Sequence, residues 1–308
     1  MSSLFQTGRP ITEWQLRTRT LELGRRTLVM GVVNITPDSF SDGGAFLDPE
    51  TAVAHGLALL DEGADLLDLG AESTRPGSQA TVSADEEQAR LLPVLEGILK
   101  LRPDALLSVD TYKAATARAA LRAGAEIVND VSGLMWDAEI ASVCAGARCG
   151  VVLMHTRGRP DEWRELTRVG AAELVQLVRE GLSESLKLAL AAGISVDRVV
   201  LDPGYGFGKR FEENFFLLSH QLELLELGRP LLTGLSRKSF LGWALAPLYG
   251  GTDAPVEARE TASVAAIMAS ILGGASIVRV HAVRPAVEAV RIADAVVVCR
   301  GSPGPDEL

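Results

Sequence analysis

One junction recurs along this chain: a segment with helical spacing runs to a glycine, and a short apolar run follows. It is seen at Glu62-Gly-Ala-Asp-Leu-Leu-Asp-Leu69, at Ala123-Gly-Ala-Glu-Ile-Val-Asn129, and at Gly146 before Gly150-Val-Val-Leu-Met154. It returns at Gly193 before Val199-Val-Leu201, at Gly228 before Leu231-Leu232, and at Gly274-Ala-Ser-Ile-Val-Arg-Val280. Glycine just past a helix end takes the left-handed cap conformation without steric cost. An almost unbroken apolar run after it suits a strand covered on both faces. The pattern therefore predicts helices alternating with parallel strands.

Adding Leu28 to Val33 and Ala105 to Val109 brings the strand candidates to eight. Helical spacing lies between them, as in Thr51 to Leu60, Ala114 to Leu121 and Ala171 to Ala192. Eight such strands predict a (β/α)8 TIM barrel. An open doubly wound sheet would alternate in the same way, but it would carry a Gly-rich turn after the first strand, where asparagine, threonine and proline stand instead. At 308 residues with 47% hydrophobic content and no Ser- or Pro-rich linker, the chain reads as a single domain. We expect an N-terminal extension and short β-hairpin over residues 1–27, the barrel over 28–300, and a frayed tail over 301–308. The hairpin is expected to turn at Leu23-Gly24-Arg25 and to close the bottom of the barrel.

The uncharged run from Thr261 to Val278 is broken by Gly273-Gly274 and reads as a buried helix followed by a strand, not as a membrane span. The start Met1-Ser-Ser-Leu-Phe-Gln-Thr-Gly-Arg9 shows no secretory pattern, so a cytoplasmic location is expected. Cys144, Cys149 and Cys299 form no paired spacing and read as reduced core thiols, not as a zinc site. A net charge of -10 argues against nucleic acid or an anionic membrane as partner. It does not argue against a small anion held by a few placed cations.

In a (β/α)8 barrel the active site lies at the carboxyl ends of the strands. Here the strands end in Asn34; Asp68 with Glu72; Asp110; Asn129 with Asp130; His155; Asp202; Ser236, Arg237 and Lys238; and Arg279 with His281. Helix capping alone would be satisfied by aspartate, asparagine and serine, whereas lysine, arginine and histidine are poor N-caps. Asp110, Asn129 and Asp202 offer acceptors and an amide suited to a flat heterocycle with a guanidine-like edge. Lys238, Arg279 and His281 add positive charge on the later strands. Together they point to a planar, nitrogen-rich ring joined to an anionic group.

The loop Asn34-Ile-Thr-Pro-Asp-Ser-Phe-Ser-Asp-Gly-Gly44, the runs Asp68-Leu-Gly-Ala-Glu-Ser-Thr-Arg-Pro-Gly-Ser78 and Ser108-Val-Asp-Thr-Tyr-Lys113, and Asn129-Asp-Val-Ser-Gly133 resemble the dihydropteroate synthase family in order and content. So do Asp202-Pro-Gly-Tyr-Gly-Phe-Gly-Lys209, Ser236-Arg-Lys-Ser239 and Arg279-Val-His281. The family joins 6-hydroxymethyl-7,8-dihydropterin diphosphate to 4-aminobenzoate in folate synthesis, releasing diphosphate. The resemblance implies that Asp110, Asn129, Asp202 and Lys238 bind the pterin, and that Asn34, Thr74, Arg75, Arg279 and His281 hold the diphosphate, with Mg2+ beside Asn34. It further implies that Phe40, Pro76 and Ser239 receive 4-aminobenzoate. Asp42, Asp110, Lys238, Arg279 and His281 would then carry an SN1-like loss of diphosphate, in a homodimer and in a form that sulfonamides inhibit. A lid must be polar when open and specific when shut, which fits the aromatic Phe40 within the polar first loop.

Several residues have plainer readings. His155 is expected to be structural, and Asp68 and Glu72 to tether the second loop. Arg157, Arg159, Arg164 and Arg168, interleaved with acids, read as a solvated face. The fifth strand ends in His155-Thr-Arg-Gly158, where methionine and glutamine are commoner, so the expected departure is in the shape of the pterin pocket. Two rival functions share such a barrel: a methyltetrahydrofolate-dependent corrinoid methyltransferase and a non-catalytic pterin-binding paralogue. The first would not need Phe40, Arg75 and Ser239, and the second would tolerate damaged loops.

Overall fold

Strand alternation divides the barrel wall into two faces, and the observed packing follows that division. The structure is a computed structural model that describes residues 9–36, 48–72 and 82–301. After a hairpin of β1 (Thr12–Gln15) and β2 (Thr20–Leu23), the chain runs β3 (Leu28–Asn34), α1 (Pro49–Asp61), β4 (Leu66–Gly70), α2 (Ala84–Leu101), β5 (Leu107–Asp110) and α3 (Ala114–Ala123). It continues as β6 (Ile127–Asp130), α4 (Ile140–Ala147), β7 (Gly150–Met154), α5 (Ala171–Ala191), β8 (Val199–Asp202) and α6 (Phe211–Ser219). The last elements are β9 (Leu231–Thr233), α7 (Ser239–Ala244), α8 (Glu260–Leu272), β10 (Ala275–Val280) and α9 (Val283–Gly301). β3 to β10 pair in parallel and close, β10 against β3, into an eight-stranded barrel. The architecture is the expected (β/α)8 barrel with an antiparallel hairpin before it.

Outward residues such as Val29, Leu67, Leu69, Val109, Val128 and Leu153 pack with the helices in one large core. Inward residues form a second core: Met30, Leu66, Leu106, Ile127, Val152, Val200, Leu232 and Ile277, drawn from around the whole barrel wall. Trp14, Leu16 and Leu23 of the hairpin region complete this inner layer, and the Trp14 indole donates to the Arg198 carbonyl at 2.8 Å. The hairpin therefore plugs the barrel at the strands' amino ends. Because successive strand residues alternate faces, the residue two beyond each inner-core position also points inward, one step nearer the carboxyl ends. Apolar filling below thus leads directly to the polar set above.

Two expectations are corrected. The hairpin turns at residues 16–19, where the Leu16 N–H donates to the Arg19 carbonyl at 2.8 Å, and not at Gly24. Gly24 has φ +100°, and a Cβ there would collide with the Pro10 carbonyl. The glycine permits a close backbone approach beside the second strand. Cys144 and Cys149 are buried, but Cys299 is exposed on α9 and is not a core thiol. Residues 302–308 lie outside the described residues. Among the described residues no helix is long and apolar enough to cross a membrane, and the Thr261–Val278 run is α8 followed by β10.

Candidate active site

Register places several of the expected residues on one rung. Asn34 of β3 pairs with Gly70 of β4, Gly70 with Asp110 of β5, and Asp110 with Asn129 of β6. All sit at even spacing above inner-core positions, so their side chains share the barrel interior at its carboxyl mouth. Arg279 stands two residues above Ile277 on β10, and Asp202 two above Val200 on β8.

These side chains are joined by a short ionic network. Arg279 donates through Nε to Asp68 Oδ2 at 2.6 Å and through an Nη to Asp110 Oδ2 at 2.8 Å. The Asn129 amide nitrogen donates to the same Asp68 oxygen at 2.9 Å. Asp68 is wholly buried, whereas the side chains of Asp110 and Arg279 keep 17% and 20% exposure, which leaves them accessible from the mouth. Burial pushes the Asp110 carboxyl up to about 7, with Arg279 opposing the rise and Asp68 adding to it. The guanidinium of Arg279 is itself raised: burial works against its charge, and Asp68 and Asp110 outweigh it.

Asp202 ends β8 beneath a turn that its own side chain organises, with Oδ1 accepting from the Gly204 N–H at 2.7 Å. Gly204 has φ +69°, and a Cβ there would collide with the His155 carbonyl, so only glycine lets this turn lie against β7. Burial pushes the Asp202 carboxyl up to about 6, opposed by that N–H and by Lys238. Lys238 lies just before α7, with its ammonium 4.0 Å from the centre of the Phe207 ring, a cation–π contact. Lys209 is buried beneath, donating to the carbonyls of Gly204 at 2.8 Å and of His155 and Phe207 at 3.3 Å. Burial lowers its ammonium to about 7.

His281 follows β10, and Ser236 holds it twice: Ser236 Oγ accepts the His281 backbone N–H at 3.3 Å and lies 3.1 Å from Nδ1. Between Ser236 and Lys238, Arg237 adopts φ +59°, a strained value for a side-chain-bearing residue. Its N–H donates to Ser263 Oγ and its carbonyl accepts from Arg259, which secures the turn. Ser239 is the first residue of α7 and is exposed. Phe40, Asp42, Thr74, Arg75 and Pro76 lie outside the described residues.

The expectation for Asp68 is corrected. It is not a turn residue tethering the second loop but a mid-strand carboxylate inside the barrel, placed there by alternation above Leu66. Glu72 does bridge the chain on either side of residues 73–81: Oε1 accepts the Val82 N–H at 3.3 Å and the Tyr112 hydroxyl at 3.3 Å, while Lys113 pairs with Oε2. His155 packs its ring against Gly181 of α5 and is held neutral by burial, as a structural residue would be. Asp130 likewise serves its turn, accepting the Ser132 and Leu134 N–H groups at 2.8 Å. Arg157 bonds the carbonyls of Gly208 at 3.2 Å and Thr167 at 3.0 Å, so the departure after His155 is absorbed by the loop that carries Lys209. From sequence, Asp68 has only a tethering role, and Lys209 and Phe207 have none beyond their place in the Asp202–Lys209 run. For Asp68 the signal was present, since a lone charge at even spacing in a buried strand faces the same way as the inner core.

A barrel whose mouth gathers carboxylates, an amide and cations in this order defines a class. The model of the pterin binding enzyme family matches residues 30–281, and the chain belongs to that family. It is 42% identical over 273 residues to the dihydropteroate synthase of Synechocystis sp., covering 88% of this chain and 91% of that one. Among solved structures, dihydropteroate synthase of Xanthomonas albilineans with 4-aminobenzoic acid is 42% identical with TM-score 0.82, over 93% and 98% of the two chains. That of Yersinia pestis in a sulfonamide complex is 38% identical with TM-score 0.84, over 92% and 99%. The activity is that of dihydropteroate synthase, a transferase of folate biosynthesis.

Proposed function

We propose that the mouth binds the ring of 6-hydroxymethyl-7,8-dihydropterin diphosphate through Asp110, Asn129, Asp202 and Lys238. The diphosphate is held by Asn34, Arg279 and His281, joined by Thr74 and Arg75. The amine substrate, 4-aminobenzoate, lies against Phe40, Pro76 and Ser239. One observation carries most of this reading: Arg279 is forked between Asp68 and Asp110 on the inner wall, beside Asn129. A guanidinium has five N–H donors, so those two bonds leave three for an anion at the mouth. The 4-aminobenzoic acid and the sulfonamide in the two solved relatives support the choice of amine.

In this reading the bond between the exocyclic pterin carbon and the diphosphate oxygen breaks first, and both electrons leave with diphosphate. An aniline-type nitrogen is a weak nucleophile, which favours forming a ring-stabilised cation before attack. Asp42 and Asp110 stabilise that cation electrostatically. Asp110 has a carboxyl near 7 in the free protein, and a cation beside it drives the group to its charged form. Arg279 and His281 stabilise the departing anion, and the amine nitrogen, on forming the new C–N bond, gives up one proton to water at the mouth.

Among the described residues no group of three histidines, cysteines, aspartates or glutamates is placed to hold a metal ion. Asn34 offers one carbonyl oxygen at the end of the rung. That donor set fits Mg2+, which commonly keeps waters and binds substrate phosphates along with very few protein oxygens. Asn34 would hold it, and the ion would supply neutralisation of diphosphate charge. The same reading includes a cytoplasmic homodimer without nucleic-acid or membrane partners. Only the homodimer within that reading draws support from the structure's surface: Ala265 and Ala269 on α8 and Ile292, Val296 and Val298 on α9, which packs against α8, are exposed.

The test is diphosphate release from the dihydropterin diphosphate with and without 4-aminobenzoate. Multiple-turnover release is expected to depend on the amine, because without it the cation and diphosphate recombine; it is expected to fall when a sulfonamide is added, and to stop when divalent cations are chelated. Equal release without the amine would overturn the transfer reading.

A further inference from the structure

The proposed ring and diphosphate contacts meet at a residue that neither reading uses. Asp68 lies on the inner face of β4, fully buried, and both of its hydrogen bonds go to side chains assigned to substrate: Arg279 Nε at 2.6 Å and Asn129 Nδ2 at 2.9 Å. Both converge on Oδ2, and Oδ1 is buried with no partner among the described residues. A carboxylate kept only for packing has a poor reason to be there. Burying a charge is costly, and an incompletely satisfied one is worse than an apolar side chain of the same size.

We propose that Asp68 is a positioning residue: its carboxylate aims the Arg279 guanidinium at the diphosphate and fixes which end of the Asn129 amide faces the pterin ring. An ionised carboxylate only accepts hydrogen bonds, so the nitrogen of Asn129 must turn toward it. The amide oxygen and the remaining N–H are then presented in one orientation. Arg279 is anchored at Nε, the root of its fork, so that its plane cannot rotate about the bond to Asp110. The two substrate halves are thereby read by side chains aligned on a single oxygen atom, and preorganised donors of this kind need not rearrange when charge develops.

The inference rests on the roles given to Arg279 and Asn129, and the experiment separates its failure from theirs. Asp68→Asn keeps the shape and removes the charge. In the wild-type background, binding of 6-hydroxymethylpterin and of inorganic diphosphate by calorimetry establishes that the two pockets exist; absence of both would strike at the synthase roles, independently of Asp68. With binding present, Asp68→Asn is expected to weaken each ligand and to lower kcat/KM for the pterin diphosphate about tenfold to a hundredfold, while the melting temperature at pH 8 holds or rises. A merely structural residue would show the opposite pattern, a lower melting temperature with kcat/KM and both affinities near wild type at a temperature where the protein is folded. Asp68→Ala supplies a second arm: formate, a carboxylate small enough for the space left, is expected to restore activity, and chloride is not. Ligand affinities and kcat/KM within threefold of wild type in Asp68→Asn, or no formate effect in a folded but inactive Asp68→Ala, would overturn the proposal.

Discussion

At the level of single residues, Asp202 illustrates how a ligand-binding carboxylate lowers the stability of the protein that carries it. Its side chain is nearly fully buried and takes the Gly204 N–H, but burial outweighs that bond and raises the carboxyl from an ordinary 3.8 to about 6. For an acid raised in the folded state, the native protein holds the extra proton between those two values, so stability falls as pH rises through them. Asp202's contribution is fully present below about pH 3.8 and gone above about 6, a difference on the order of 3 kcal/mol. Asp202→Asn, with the charge removed and the shape kept, should therefore be more stable than wild type at pH 8 by about 1–3 kcal/mol, and should show no such gain at pH 4. Denaturant unfolding at the two pH values measures this directly, and an equal difference at both would show that the charge is not the cause. Pterin affinity should be lost in the same variant, because an amide cannot accept two parallel N–H bonds from the ring edge. That Asp202 would be such a group was legible from its place after an apolar run. Asp68 was harder to read, because proximity to a loop suggested a turn residue while alternation, the stronger rule inside a barrel, put it on the wall.

Elements were the most legible level, and the reason is local. Each of the eight barrel strands is a short apolar run, and five follow a left-handed glycine just past a helical segment, so two independent signals mark the same boundary; before β7 the expected Gly146 lies inside α4 and Arg148, at φ +53°, takes the left-handed place instead. The hairpin carried only one signal: Gly24 looked like a turn residue, but its freedom is used for close approach to the Pro10 carbonyl. A close backbone contact between non-neighbouring residues leaves no periodic trace in sequence. The second loop shows a further limit of reading one element alone. Glu72 after β4 is bonded to Val82 just ahead of α2, to Tyr112 and to Lys113, and Lys113 also lies 3.2 Å from Glu87 of α2. Three elements thus meet on one carboxylate at the two ends of the segment that carries Thr74, Arg75 and Pro76. Glu72→Ala removes the shared acceptor and leaves the ring-binding wall intact. Its expected signature is a KM for 4-aminobenzoate raised about tenfold, with 6-hydroxymethylpterin affinity unchanged. A fall in pterin affinity of the same size would show instead that the damage had spread through the barrel.

Across the molecule the barrel interior is stratified, and the stratification separates what holds the fold from what works on substrate. The lower interior is an apolar layer drawn from around the barrel wall and sealed by Trp14, Leu16 and Leu23; the upper interior is Asp68, Asp110, Asn129, Asp202 and Arg279. Parallel strands make this possible, because all eight run from the plugged end to the open end and six of them carry an inward polar residue two or four positions above an apolar one: Asn34, Asp68, Asp110, Asn129, Asp202 and Arg279. The consequence is that the plug can be changed without touching the site, although the polar layer itself costs stability. Trp14 touches the barrel at Arg198, four residues before Asp202, which at strand rise is a separation of about 13 Å. Trp14→Ala should remove about 3–5 kcal/mol of stability by emptying the plug. It should leave kcat/KM unchanged at temperatures where the protein is folded, whereas Asp202→Asn loses pterin binding while gaining stability at pH 8. At such a distance the two stability effects are expected to add within about 0.5 kcal/mol in the double variant. A larger coupling, measured by denaturant unfolding of the four proteins in the cycle, would mean that the plug transmits strain up β8 to the site and that the two layers are one mechanical unit.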